Sequence, residues 1–249
     1  MNTSLPNNFD CGIARELCRA SADAYYESEI NNGESDTHVL VRRNESDAVV
    51  AFRGTADARN WLTDLKCGLW RDALCGKIHE GFHLALESVW EELEGEVREL
   101  GAKRVWVTGH SLGGALAMLF AWYWEGPIAG VYTFGQPRVG NGRFCDNYNL
   151  IRGRRTFRVV HADDIVPRVP WLLGAYRHAG HEVFYPGPRM GDICELPYLL
   201  DPSAPAKLPL DFRNGLRELT CEKIAWLADH HVDTYLELFQ SNPSTVYQS

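Results

Sequence analysis

The feature that most restricts how this chain can fold lies near its middle. Arg104-Val-Trp-Val-Thr108 is a short apolar run, closed by Gly-His-Ser-Leu-Gly113 and followed at once by an Ala-rich apolar stretch over 115–124. The first run reads as a buried strand and the last as a buried helix. A strand passing directly into a helix needs a sharp turn, and a glycine on each side lets such a turn close. A serine at its apex, Ser111, is pushed out above the sheet. The five-residue pattern by itself arises by chance in about one chain in ten of this length. The strand before it and the helix after it give it weight.

Other stretches continue the alternation. Residues 11–26 carry Ile13, Leu17, Ala20 and Ala24 at helical spacing. Residues 38–43 and 48–53 are apolar runs separated by a polar turn, a strand–turn–strand pattern. A second helix is predicted over 81–100, ended by Gly101. Residues 130–134, 156–160 and 181–185 read as further strands. A last helix starts near Asp229, with Val232, Tyr235, Leu236 and Phe239 on one face. Strands alternating with helices predict an α/β fold with a mainly parallel central sheet, an antiparallel start and helices on both faces. The 249 residues fit one domain, 1–249. Residues 187–207 are Pro-rich and aperiodic, and they read as an insertion loop because helical signal resumes after them.

The formal net charge of -8, with Lys and Arg scattered, argues against a nucleic-acid partner. No apolar run is long enough to span a membrane. The first ten residues have neither a basic start nor an apolar centre. The expectation is therefore a cytoplasmic protein, or a secreted one whose leader has been removed. Seven cysteines (Cys11, Cys18, Cys67, Cys75, Cys145, Cys194 and Cys221) are an odd number without paired metal-ligand spacing. They are expected to be mostly buried thiols, with Cys67 and Cys75 as a candidate loop disulfide in an exported chain. No metal and no organic cofactor is expected.

A serine hydroxyl needs a base to act as a nucleophile, usually a histidine oriented by a carboxylate. On a strand–turn–helix serine the chain order is serine, acid, histidine, which removes His38, His79, His83 and His110. The acid is sought at the strand end in Val159-Val-His-Ala-Asp-Asp-Ile-Val-Pro167, where Asp163 and Asp164 compete. Four histidines follow. His178 and His181 border the strand over 181–185, and His230 and His231 stand directly before the last helix. The last two are the better candidates, and the pattern alone does not choose between them. The backbone N–H of Leu112, the residue after the nucleophile, is the expected first oxyanion donor.

The segment Val107-Thr-Gly-His-Ser-Leu-Gly-Gly-Ala-Leu-Ala117 resembles the nucleophile segment of the class 3 lipases, a family of the α/β-hydrolase fold. Further segments resemble that family in the same order. They are Phe52-Arg-Gly-Thr-Ala56 with Arg59-Asn-Trp-Leu-Thr-Asp64, Ile78-His-Glu-Gly-Phe82, and Thr133-Phe-Gly-Gln-Pro-Arg-Val-Gly-Asn141. The resemblance covers roughly residues 20–240. It implies Asp164 of Asp-Ile-Val-Pro as the acid. Asp229-His-His-Val-Asp-Thr-Tyr235 implies His230 as the base, with His231 as runner-up. His178-Ala-Gly-His-Glu182 matches a family segment that gives His178 a structural role. Thr55 becomes the second oxyanion donor.

A short lid is implied over about 56–70, where Trp61, Leu62 and Leu65 either offer transient contact with a lipid interface or pack inward and anchor the loop. Trp171, Leu172 and Leu173 either line an acyl pocket or pack in the core. The implied activity is that of a serine carboxylic-ester hydrolase, a triacylglycerol lipase working through an acyl-enzyme on Ser111. A short-chain carboxylesterase or feruloyl-type esterase is the alternative. A non-catalytic binding protein on the same fold is more remote, because no triad residue is missing. Two features depart from the family: the lid segment is short and less apolar than in interface-activated members, and residues 187–207 match no family pattern.

Overall fold

Strands β2 (Thr37–Asn44) and β3 (Asp47–Phe52) form the expected hairpin, with Asn44 opposite Asp47 and Glu45 in the turn at φ 52°. The computed structural model describes residues 8–55, 69–72, 76–161, 164–170, 175–185 and 230–241. The hairpin belongs to a seven-stranded sheet with β1 (Ile30–Asn32), β6 (Val105–His110), β7 (Ile128–Phe134), β8 (Thr156–His161) and β9 (His181–Tyr185). The order is β1-β2-β3-β6-β7-β8-β9. The first two pairings are antiparallel and the remaining four parallel, so the sheet is mixed with an antiparallel start. A separate hairpin joins β4 (Leu69–Asp72) to β5 (Gly76–His79).

Side-chain alternation divides the core in two. Val39, Val41, Val50, Phe52, Val107 and Val131 face one side. There they meet helices α2 (Glu80–Glu87), α3 (Trp90–Glu99), α4 (Leu112–Tyr123) and α5 (Gly142–Ile151), through residues such as Phe82, Leu93, Leu116 and Phe144. The next residue along β7, Tyr132, faces the other side with Phe134, Phe157, Val159 and Val183. That side is covered by α1 (Cys11–Asp23) and α6 (Val232–Ser241), through Leu17, Cys18, Tyr235 and Phe239. Helix α4 is buried along its whole length from Gly113 to Ala121, which is why its sequence is apolar on every face.

The structure departs from the sequence expectations at four places. The helix expected over 81–100 is two helices, because Ser88 ends the first. Its hydroxyl bonds back to the Ala85 carbonyl (2.8 Å), while its own carbonyl accepts from Asn32 Nδ2 (3.3 Å). Helix α5 was not anticipated, since only Phe144, Cys145 and Tyr148 are buried in an otherwise polar stretch. It starts where Asn141 Oδ1 accepts from the Phe144 amide (3.0 Å). The last helix begins at Val232, three residues after Asp229. Leu69 and Trp70, the end of the expected lid region, begin strand β4. Trp61, Leu62, Leu65, Trp171, Leu172, Leu173, Cys67, Cys75, Cys194, Cys221 and residues 187–207 lie outside the described residues. Of the described cysteines, Cys18 and Cys145 are buried and Cys11 is half-buried.

The junction of β6 and α4 is a sharp turn. A single residue, Ser111, separates them, with φ 57° and ψ -128°. A side chain there costs about 1–3 kcal/mol of backbone strain. The Ser111 amide donates to the Phe134 carbonyl (2.9 Å), and its own carbonyl accepts from Gly114 (3.0 Å). A Cβ on Gly109 would strike the Gly113 carbonyl, and one on Gly113 would strike the Phe52 carbonyl. The two glycines are therefore required by close backbone approach, not by flexibility.

The loop after β8 is fastened from below. His178 Nε2–H donates to the Pro167 carbonyl (2.6 Å), while Arg138 donates from its amide to Val169 (2.8 Å) and from Nη1 to Pro170 (3.1 Å). Burial, and then the neighbouring Arg158 and Arg138 charges, hold the His178 imidazole well below its ordinary pKa of 6.5. The unfolded chain takes up a proton near that value and the folded chain does not. Stability from this group is therefore complete above pH 6.5 and is lost as the pH falls below it.

Two outcomes follow from the packing. Gly113→Ala should lower the unfolding free energy in urea by about 2 kcal/mol or more; a change within about 0.5 kcal/mol would contradict the close approach to Phe52. Between pH 6.5 and 5, stability should decline, and His178→Gln should flatten that decline by up to about 1.4 kcal/mol per pH unit. An unchanged slope in the variant would remove His178 as a cause.

Candidate active site

The candidate residues gather at the carboxyl ends of neighbouring parallel strands, where open α/β sheets hold their ligands. Ser111 follows β6, Gly135 follows β7, and Asp164 lies three residues beyond β8. His230 precedes α6, whose apolar face packs against the same side of the sheet.

Asp164 is fully buried, and three donors reach its carboxylate among the described residues. Oδ1 accepts from the Val166 amide (2.9 Å). Oδ2 accepts from the Tyr235 hydroxyl (2.6 Å) and faces His230 Nδ1 (2.8 Å). Burial, followed by the adjacent Asp164, raises the Tyr235 phenol well above its ordinary range, so the hydroxyl keeps the proton it donates. The same oxygen accepts from the His161 amide (3.2 Å), which ties α6 to the end of β8. Gly135, at φ 60°, forms the floor. A Cβ there would lie 2.8 Å from both Asp164 Oδ2 and His230 Nδ1.

The structure distinguishes the two histidines. His230 is 3% exposed and contacts Asp164, whereas His231 is exposed and pairs with Asp233 (3.2 Å). Asp163 lies outside the described residues. His178 stands beneath the acid-bearing loop, and His181 lies exposed at the start of β9.

With Nδ1 turned toward Asp164, His230 Nε2 is buried without a hydrogen-bond partner among the described residues, and so is Ser111 Oγ. Ser111 is tied to this pair through β7. Its amide bonds to Phe134, and the next residue, Gly135, has no side chain and leaves the space that Asp164 and His230 occupy. A buried imidazole with one nitrogen oriented and the other unpartnered is suited to accept a proton.

Thr55 ends the described segment after β3. A Cβ on the preceding Gly54 would meet the His110 carbonyl at 2.7 Å and Ser111 Cβ at 3.1 Å, so the Thr55 backbone starts against the Ser111 turn. Thr55 Oγ1 is buried without a partner among the described residues. Leu112 is the first residue of α4, so its amide belongs to the positive end of that helix. Among the described residues, no group of three His, Cys, Asp or Glu side chains is arranged to hold a metal ion.

Sequence reasoning missed two polar parts of the site. Tyr235 registered as one member of an apolar helix face, although a phenol on such a face needs a partner when buried. His110 was set aside by the chain-order argument, yet its ring lies 4.6 Å from that of His230 and its Nε2 contacts the His230 carbonyl (2.6 Å).

Comparison with known proteins identifies the family and the fold. The family model for lipase (class 3) matches residues 49–173, half of the chain. The secreted mono- and diacylglycerol lipase 1 of Fusarium solani is 37% identical over 163 residues, covering 60% of this chain and 47% of that protein. The chain thus spans about half the length of the curated relatives it matches. Among solved structures, the Rhizomucor miehei lipase in its propeptide complex superposes with a TM-score of 0.64 at 27% identity, over 75% of this chain and 71% of that one. A triacylglycerol lipase described as having a serine protease triad at its catalytic centre superposes at 0.62 with 25% identity, over 74% and 82%. Among the described residues no helix is long and apolar enough to cross a membrane. By motif order, fold and family match, this chain belongs to the class 3 lipase family.

Proposed function

We propose that this protein hydrolyses carboxylic esters of lipids through an acyl-enzyme on Ser111. The observation that carries the reading is the buried Asp164–His230 contact of 2.8 Å beside the strained Ser111 turn. His230 Nε2 takes the Ser111 proton as Oγ attacks the ester carbonyl. The tetrahedral oxyanion receives the amides of Leu112 and Thr55, with the Thr55 hydroxyl as a further donor. His230 then returns the proton to the departing alcohol. In the second half a water molecule, deprotonated by His230, releases the carboxylic acid and restores Ser111. Asp164 fixes the tautomer that leaves Nε2 able to accept, and stabilises the imidazolium. Tyr235 and Val166 hold Asp164 in turn.

The names of the relatives, a mono- and diacylglycerol lipase and a triacylglycerol lipase, support a glycerolipid ester as the substrate class. The Fusarium relative is named as secreted, which favours export over the cytoplasmic location expected from the first residues.

Hydrolysis of p-nitrophenyl esters from acetyl to palmitoyl, with Ser111→Ala as control, tests the reading. Turnover abolished in the control, with a maximum at medium or long acyl chains, is expected. A maximum at acetyl would favour the short-chain esterase. No turnover by folded wild-type protein would overturn enzymatic function on such esters. On the best ester, Asp164→Asn should lower kcat by about three to four orders of magnitude, while Asp163→Asn should stay within about threefold. His230→Ala should be inactive and His231→Ala active. Equal losses within either pair would undo that assignment.

A further inference from the structure

Helix α1 and the segment after it have no part in the chemistry proposed above, yet they carry a side chain into it. The helix is held against the sheet by a buried hydrogen bond of 2.8 Å between Ser21 Oγ and Thr108 Oγ1, and Thr108 Oγ1 also contacts the Tyr132 carbonyl (2.8 Å). Two residues past its end, Tyr25 presents its hydroxyl to His110 Nδ1 at 2.9 Å. His110 Nε2 lies 2.6 Å from the His230 carbonyl. A carbonyl only accepts, so Nε2 carries the proton. In a neutral ring Nδ1 is then an acceptor, and Tyr25 is its donor. Burial, and then the nearby His230, hold His110 well below its ordinary pKa of 6.5, so the ring stays neutral. The Tyr25 oxygen also packs against Gly54, one residue before Thr55. A Cβ on Gly54 would collide with that oxygen, so the strand end is fitted to the phenol.

We infer that Tyr25 and His110 form a positioning relay. The chain runs from the Gly54 backbone, packed against the Tyr25 hydroxyl, through the Tyr25–His110 and His110–His230 hydrogen bonds to the backbone of His230. It rests on the proposed serine mechanism and deepens it: the oxyanion donor and the general base come from segments 175 residues apart in the chain, and this relay links them by one close backbone contact and two hydrogen bonds. Neither residue touches the ester. Tyr25 sets the end of β3, and His110 sets the His230 main chain while its ring packs 4.6 Å from the imidazole. A relay of this kind acts on the transition state, where the oxyanion and the imidazolium must both be accommodated, more than on ester binding.

The test is steady-state kinetics on p-nitrophenyl butyrate with Tyr25→Phe, His110→Phe, the double variant, His110→Gln and Ser111→Ala, each checked for folding by circular dichroism. Tyr25→Phe should lower kcat by about tenfold or more, with KM changed by less than about twofold. His110→Phe should lose at least as much, and adding Tyr25→Phe to it should cost little further, because one chain is broken once. His110→Gln, whose amide can still donate toward the His230 carbonyl, should recover part of the loss. Wild-type kcat in folded Tyr25→Phe and His110→Phe, losses that multiply independently, or losses confined to KM would each overturn the relay. Residual activity in Ser111→Ala would instead overturn the underlying serine mechanism, so the two failures are distinguishable.

Discussion

A carboxylate removed from water is tolerated only where donors replace its hydration shell. Asp164 is fully buried, and much of the arrangement around it answers that requirement. One donor is local, the Val166 amide two residues on, which bends the loop after β8 into a fixed shape. The other two come from the far end of the chain, His230 and Tyr235, and they reach Asp164 only when α6 lies against the sheet. Satisfying one buried acid therefore docks the last described helix. The Tyr235 hydroxyl serves twice, giving its proton to Asp164 and accepting from His161. A phenylalanine there would pack as well and leave two buried polar groups short of a partner.

Ser111 depends on a different constraint. Its backbone conformation is unfavourable, and within the turn the Gly114 amide bonds to its carbonyl. The compensation comes from neighbouring strands: Phe134 on β7 takes the Ser111 amide, and the Phe52 carbonyl on β3 leaves room only for a hydrogen at Gly113. Ser111 is thus held by the parallel sheet on both sides of its own strand. Gly135 joins the two constraints, since the residue before it anchors Ser111 and its missing side chain admits Asp164 and His230.

Where residue periodicity was strong, the sequence was a good guide. The hairpin, strands β6 to β9 and helix α4 lie within a few residues of expectation, because each is apolar over most of its length or alternates cleanly. Helix α5 was illegible because three buried residues in ten give a weak stripe, and its start is an asparagine cap that resembles an ordinary loop. The break at Ser88 depends on Asn32, more than fifty residues away in the chain, and no local pattern carries that. The same holds within the site. Chain order and family resemblance led to Ser111, Asp164 and His230, but His110 was discarded because it could not be the base. Its contact with the His230 carbonyl exists only once the chain has folded.

The proposed mechanism requires that Ser111, activated by a His230 that Asp164 orients, form a covalent bond to the carbonyl carbon of the substrate. The most direct measurement is intact-mass and peptide mapping after incubation with a p-nitrophenyl alkylphosphonate, which phosphonylates an activated serine and stops there. One adduct per chain, located on Ser111 and much slower to form in His230→Ala, is the predicted result. No adduct, an adduct on another side chain, or an unchanged rate in His230→Ala would contradict it.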